Sequence, residues 1–113
     1  MIVKNITRNT IISKDLIFAE SHRQRLFGLL DKKVSRSLLF KTRFGIHTFG
    51  LAFPIDVVIL NDNNCVVSLK ENLRPNSFYF WNPRFKKVIE LPAGTIKKEK
   101  IAVSKLVEIE MNT

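Results

Sequence analysis

The chain is poor in the residues that most enzyme and metal chemistry needs: among its 113 residues are one cysteine and two histidines. The lone Cys65 excludes an intramolecular disulfide and any multi-cysteine zinc site. It lies in the apolar run Cys65-Val66-Val67, where a small buried thiol is expected, and nothing adjacent supplies the electropositive, exposed setting of a nucleophilic thiol. His22 and His47 are the only histidines and no pair of residues has a ligand spacing, so no metal is expected. A nucleophile elbow, a phosphate-binding loop and a dinucleotide fingerprint are all missing, and no cofactor is expected. No apolar run approaches the roughly 18 to 20 residues of a spanning helix, and the stretch Ile55 to Leu60 is interrupted by Asp56. The first eight residues have neither the apolar stretch nor the cleavage site of a secretory signal, so a cytoplasmic location is expected.

What is present describes one ordinary folded domain spanning 1–113. An apolar fraction of 45% and a charged fraction of 26% exclude a disordered or low-complexity chain. Nineteen Lys and Arg against ten Asp and Glu leave a net charge of +9, which favours anionic small molecules or polyanions as company. The excess is uneven. Between Ser21 and Arg43 stand Arg23, Arg25, Lys32, Lys33, Arg36, Lys41 and Arg43 against Asp31 alone. A solvated basic face and a nucleic-acid contact both account for it, but RNA-binding signatures are lacking.

Periodicity predicts a β-rich α+β domain, an antiparallel sandwich or barrel with one short helix. Ile2 to Thr7 and Thr10 to Phe18 alternate around Arg8-Asn9 and predict a hairpin. Ser21 with Gln24 resembles a capping box, and Leu26, Phe27, Leu29 and Leu30 follow at helical spacing, predicting a helix over 21–30. Strands are expected at Leu38 to Lys41, Ile46 to Phe49, Ile55 to Leu60, Val66 to Asn72, Lys87 to Leu91 and Lys105 to Met111. Asp62-Asn63-Asn64 marks a hairpin turn, whereas Arg74 to Pro83 reads as a longer irregular excursion.

The pieces Arg25-x-x-Gly28-Leu29, Leu39-Phe40, His47-Thr48-Phe49-Gly50-Leu51-Ala52-Phe53-Pro54-Ile55-Asp56-Val57-Val58 and Val88-Ile89-Glu90-Leu91-Pro92-Ala93-Gly94 resemble the domain of unknown function 192 family of bacteria and archaea. The resemblance covers about 20–108. It implies a compact, mainly antiparallel β fold of sandwich type with a short helix, and no established reaction, substrate or cofactor. Many members carry Phe-Trp-Met-Lys-Asn-Thr where this chain reads Ile46 to Leu51, which sets His47 on a position commonly occupied by tryptophan. A histidine that the family exchanges for an indole is a poor obligatory base.

Six residues are candidates for a ligand site: Arg25, His47, Asp56, Arg74, Trp81 and Glu90. Asp56, inside an apolar strand, must be exposed or find hydrogen-bond partners, either tying a turn through backbone N–H groups or serving a ligand. Were Leu51 to Pro54 to close a hairpin with Phe49 opposite Asp56, His47 would lie diagonally across at about 7 to 8 Å. Asp56 and His47 would then form an acid–base pair of a small enzyme. Glu90 is either a solvent-facing strand residue or a buried acid awaiting a cation, and the Leu91 to Gly94 turn is a weak anion cradle. Arg25 is placed to pair with an acid or an anionic ligand. Phe78-Tyr79-Phe80-Trp81, beside Arg74, Arg84 and Lys86, offers stacking faces next to cations, or a loop packed on the sheet. No residue pattern names a function. The readings are a binding module for an anionic or carbohydrate-like ligand or a partner chain, the Asp56/His47 enzyme, and a nucleic-acid-associated basic protein.

Overall fold

The computed structural model describes residues 2–6, 10–13, 16–18, 37–43, 45–103 and 107–110. They form strands β1 (Ile2–Asn5), β2 (Thr10–Ser13), β3 (Leu16–Phe18), β4 (Ser37–Lys41), β5 (Gly45–His47), β6 (Ile55–Leu60), β7 (Val66–Leu73), β8 (Phe78–Phe80), β9 (Lys87–Pro92) and β10 (Val107–Glu110), with a short helix α1 (Thr95–Lys98) between the last two. The expected helix over 21–30 lies outside the described residues. No helix among the described residues is long and apolar enough to cross a membrane.

The strands make a five-stranded sheet of order β3-β4-β9-β6-β7, a three-stranded sheet β10-β1-β2 and a two-stranded ribbon β5-β8. Pairing is antiparallel except between β3 and β4, which run parallel. The expected N-terminal hairpin is β1 with β2, but its second piece divides: Thr10 to Ser13 joins β1, and Leu16 to Phe18 enters the large sheet.

Strand β6 is apolar on both of its faces, and for that reason it is buried along its whole length. Ile55, Val57 and Ile59 enter one core cluster with Leu38, Phe40, Ile46, Leu73 and Val88, while Val58 and Leu60 enter a second with Val66, Ile89, Leu91, Ile96 and Ile101. Each such side chain contributes roughly 1.5–3 kcal/mol on burial. The ribbon β5-β8 covers the first face, through Ile46, Tyr79 and Trp81; α1 covers the second, through Ile96. The β6–β7 turn follows its sequence: Asn61 Oδ1 accepts the N–H groups of Asn63 and Cys65 at 2.9 Å each, and Asn64 takes a left-handed φ of 63°. Cys65 sits in that turn half-buried, not in the core, because the alternation that buries Val66 begins one residue later.

Asp56 falls on the second face, fully buried. Its Oδ1 accepts the N–H of Asn72 at 2.9 Å and its Oδ2 the N–H of Ile96 at 2.8 Å. Asn72 has a left-handed φ of 52°, at the end of β7 where the register against β6 shifts. Ile96 lies in the first turn of α1, where N–H groups have no partner within the helix. Gly94, at φ 93°, makes the turn into α1 possible without strain, and the charge that this turn holds is the protein's own carboxylate.

Removing that carboxylate strands two main-chain donors, each worth about 1–3 kcal/mol when left without a partner in the interior. Asp56→Ala is therefore expected to lower the unfolding free energy by about 2–5 kcal/mol in urea, with Asp56→Asn intermediate because it keeps one acceptor oxygen. A loss below about 1 kcal/mol for the alanine variant would refute this role.

Candidate functional site

The aromatic string that reads as a loop is strand β8, and its alternation sorts the rings into two sets. Tyr79 and Trp81 turn inward against the first core cluster. The Tyr79 hydroxyl hydrogen-bonds Ser68 Oγ and donates to the Leu69 carbonyl at 3.2 Å, fastening the ribbon to β7. The Trp81 indole N–H donates to the Phe85 carbonyl at 2.7 Å, closing the loop after β8. Phe78 and Phe80 turn outward, 57% and 67% exposed.

Strand β5 pairs with β8 in the register Gly45↔Phe80, Ile46↔Tyr79, His47↔Phe78. The backbone then turns at Thr48–Leu51, with the Leu51 N–H donating to the Thr48 carbonyl at 3.2 Å, and this turn lifts Phe49 out to 43% exposure. The outward rings form one continuous row. His47 stacks on Phe49 with centroids 5.0 Å apart, Phe49 meets Phe78 edge-on at 5.0 Å, and Phe78 stacks on Phe80 at 5.7 Å with 10° between planes. The Phe49 N–H also donates to His47 Nδ1 at 3.3 Å. Such contacts fix ring positions in addition to burying area.

Thr48, which nothing in the sequence singled out, holds the row's foundation. It is fully buried; its hydroxyl donates to the Arg74 carbonyl at 2.6 Å and accepts the Ser77 N–H at 2.9 Å, while its own N–H donates to the Ser77 carbonyl at 2.9 Å. A threonine between two aromatic-region residues at a strand end is an unremarkable sequence feature; only the non-local pairing gives it this role.

The five predicted site residues that are described do not form one cluster. Arg25 lies outside the described residues. The hairpin that would have set His47 diagonal to Asp56 is not formed: β5 pairs with β8, whereas β6 lies between β7 and β9. Both Asp56 oxygens are engaged by backbone N–H groups. Glu90 is fully buried on central strand β9, facing Leu38 and Val57 across the sheet. Trp81 is half-buried and anchors the ribbon. His47 remains at the surface row, and Arg74 is exposed beside it, its carbonyl held by Thr48.

The two chain segments that carry the row hold charge of one sign. No acidic residue occurs between Asp31 and Asp56, or between Glu71 and Glu90, the two stretches that contain β5 and β8; they carry five and four Lys or Arg residues respectively. Arg43 stands at the Gly45–Phe80 end, its Nη1 donating to the Pro83 carbonyl at 3.1 Å, and Arg74 at the His47–Phe78 end. Arg84 instead lines a shallow groove of about 300 Å³ with Asn61, Asp62, Asn63 and Phe85.

Gly45 keeps the row in place from below. A Cβ at this position would stand 2.5 Å from Phe80 Cδ1 and 2.8 Å from the Tyr79 carbonyl oxygen, so the Phe80 ring lies over the glycine backbone. Gly45→Ala is expected to cost about 1–3 kcal/mol through overpacking and to displace the Phe80 ring. Urea unfolding and the ring-current shift of the residue 45 α proton read both effects, and an unchanged midpoint would show that the two strands approach less closely.

Comparison with known proteins finds the same architecture in chains of undefined activity. A protein of unknown function from Novosphingobium aromaticivorans superposes with a TM-score of 0.76 at 14% identity, covering 96% of this chain and 82% of that one. A Sinorhizobium meliloti protein, to which a transcription-regulator role has been ascribed, gives 0.72 at 19% identity, with 95% and 89% covered. At these identities the likeness is one of fold. A UPF0127 protein of Pyrococcus furiosus is 32% identical over 110 residues, spanning 92% of this chain and 94% of its own. Another, from Pyrococcus abyssi, is 34% identical over 96 residues, spanning 80% and 81%. The family model described as Uncharacterized ACR matches residues 3–109, and the chain belongs to that family, domain of unknown function 192.

Proposed function

We propose that this domain is a binding module for an anionic ligand, and that its contact surface is the row His47, Phe49, Phe78 and Phe80 on the β5-β8 ribbon. The observation that carries the reading is the row's setting. Three large apolar rings are 43–67% exposed and contiguous, inside sequence stretches without a single carboxylate. Isolated exposed apolar side chains need no explanation, but a contiguous patch held in register by Thr48, Tyr79 and Gly45 does. The rings supply contact area at low conformational-entropy cost, and Arg43 and Arg74 supply attraction. A cytoplasmic setting is part of the same proposal; one cysteine fits a reducing compartment.

Heparin tests the proposal, because it is a polyanion without aromatic groups. Titrated at low salt and followed by Trp81 fluorescence, it is expected to bind with an affinity that falls steeply as salt is added. Arg43→Gln/Arg74→Gln is expected to weaken binding several-fold more than Lys97→Gln/Lys98→Gln, which removes equal charge from α1 on the opposite side of the large sheet. Equal effects of the two pairs would mean that net charge alone attracts heparin and would overturn the assignment of this surface.

A further inference from the structure

The anion can be given a chemical class, on the premise that the ribbon is the binding surface. We infer that the ligand is a single-stranded nucleic acid, with bases stacking on the ring row and backbone phosphates meeting Arg43 and Arg74. Four observations lead there.

First, Phe78 and Phe80 are alternate residues on one strand face, and Phe49 and His47 continue the row from the neighbouring chain segment. Aromatic residues at alternate positions of one strand, with another from beside it, form the kind of sheet platform on which successive unpaired bases stack. Second, the rings form two stacked pairs, 27° between His47 and Phe49 and 10° between Phe78 and Phe80, and the pairs meet edge-on at 86° between Phe49 and Phe78. Ring-on-ring stacking of this kind is the geometry that a flat unpaired base can extend.

Third, basic residues flank the row in the fold: Arg43 lies two residues before Gly45, which faces Phe80, and the exposed Arg74 has its main chain tied to Thr48, next to His47. A strand lying along the ribbon therefore passes a basic residue near each end, matching an anion whose charges are separated by ring-bearing units. A small inorganic anion would leave the rings unused. Fourth, the rings have nothing to stack on in a duplex, whose bases are already paired and stacked, so the row favours an unpaired strand.

Fluorescein-labelled oligothymidylate and oligouridylate of about twelve nucleotides, within the usual range of site sizes for such surfaces, are the probes. Anisotropy at low salt is expected to show both binding, with Phe78→Ser/Phe80→Ser weakening them about tenfold or more. Phe49→Ser, which leaves the cover over Gly45 untouched, is expected to weaken oligonucleotide binding several-fold, so the test stands even if the double variant loses stability. Urea midpoints of all variants are measured alongside. If heparin binds but oligonucleotides bind no better after allowance for charge, and the phenylalanine variants change nothing, the stacking inference falls and the anion reading stands. If neither polyanion binds, both fall. Binding to phosphatidylserine vesicles that needs the phenylalanines, without oligonucleotide binding, would overturn the inference in favour of a membrane surface.

Discussion

A buried carboxylate organises the second face of the large sheet. Asp56 interrupts an otherwise apolar strand, and a charge taken out of water is retained only where hydrogen bonds replace its hydration. Here the replacements are two backbone N–H groups from opposite directions, one at the end of β7 and one in the first turn of α1. The single side chain thereby fixes how the edge of the sheet ends and where the chain re-enters after β9. Ile96 and Ile101 can cover Val58, Leu60 and Leu91 only with α1 held at that position. Charge-assisted hydrogen bonds of this kind are about twice as strong as neutral ones, so one residue accomplishes what a helix of a single turn cannot accomplish by its own hydrogen bonds.

On the opposite face the ribbon is fastened through neutral side chains. Tyr79 and Trp81 bury their rings against the core and spend their polar atoms on the Leu69 and Phe85 carbonyls, and Thr48 gathers the loop before β8. The same alternation that drives Tyr79 and Trp81 inward forces Phe78 and Phe80 outward. An exposed row is thus a geometric by-product of anchoring the ribbon, and its being built of phenylalanine, when any polar residue would satisfy solvent, is what gives it functional meaning.

Much of this fold could be read from local pattern. Strand β6 was predicted at its exact limits because Pro54 and Asn61 bound a run rich in β-branched residues, and the Asp62 to Asn64 turn followed from residues that tolerate left-handed backbone. The reading of Asp56 as a tie through backbone N–H groups was likewise available from its apolar neighbours alone. What escaped was non-local. Phe78 to Phe80 lies between Pro75 and Pro83, whose turn chemistry concealed a three-residue strand, and nothing in the sequence says that β5 must bypass β6 to pair with it. The hairpin expected to join His47 to Asp56 failed for this reason, and with it the geometry for an acid–base pair. The parallel pairing of β3 with β4 was hidden in the same way, since a crossover leaves no turn signal.

The ribbon has a thermodynamic corollary. His47 and Phe49 come from one part of the chain and Phe78 and Phe80 from another, and only native strand pairing makes them neighbours. An unfolded chain therefore presents separate aromatic residues and no platform. Any ligand that engages the whole row distinguishes the folded from the unfolded state, and must raise the melting temperature in proportion to the logarithm of its concentration once that exceeds the dissociation constant. Occupancy of the surface and integrity of the sheet beneath it are one linked equilibrium.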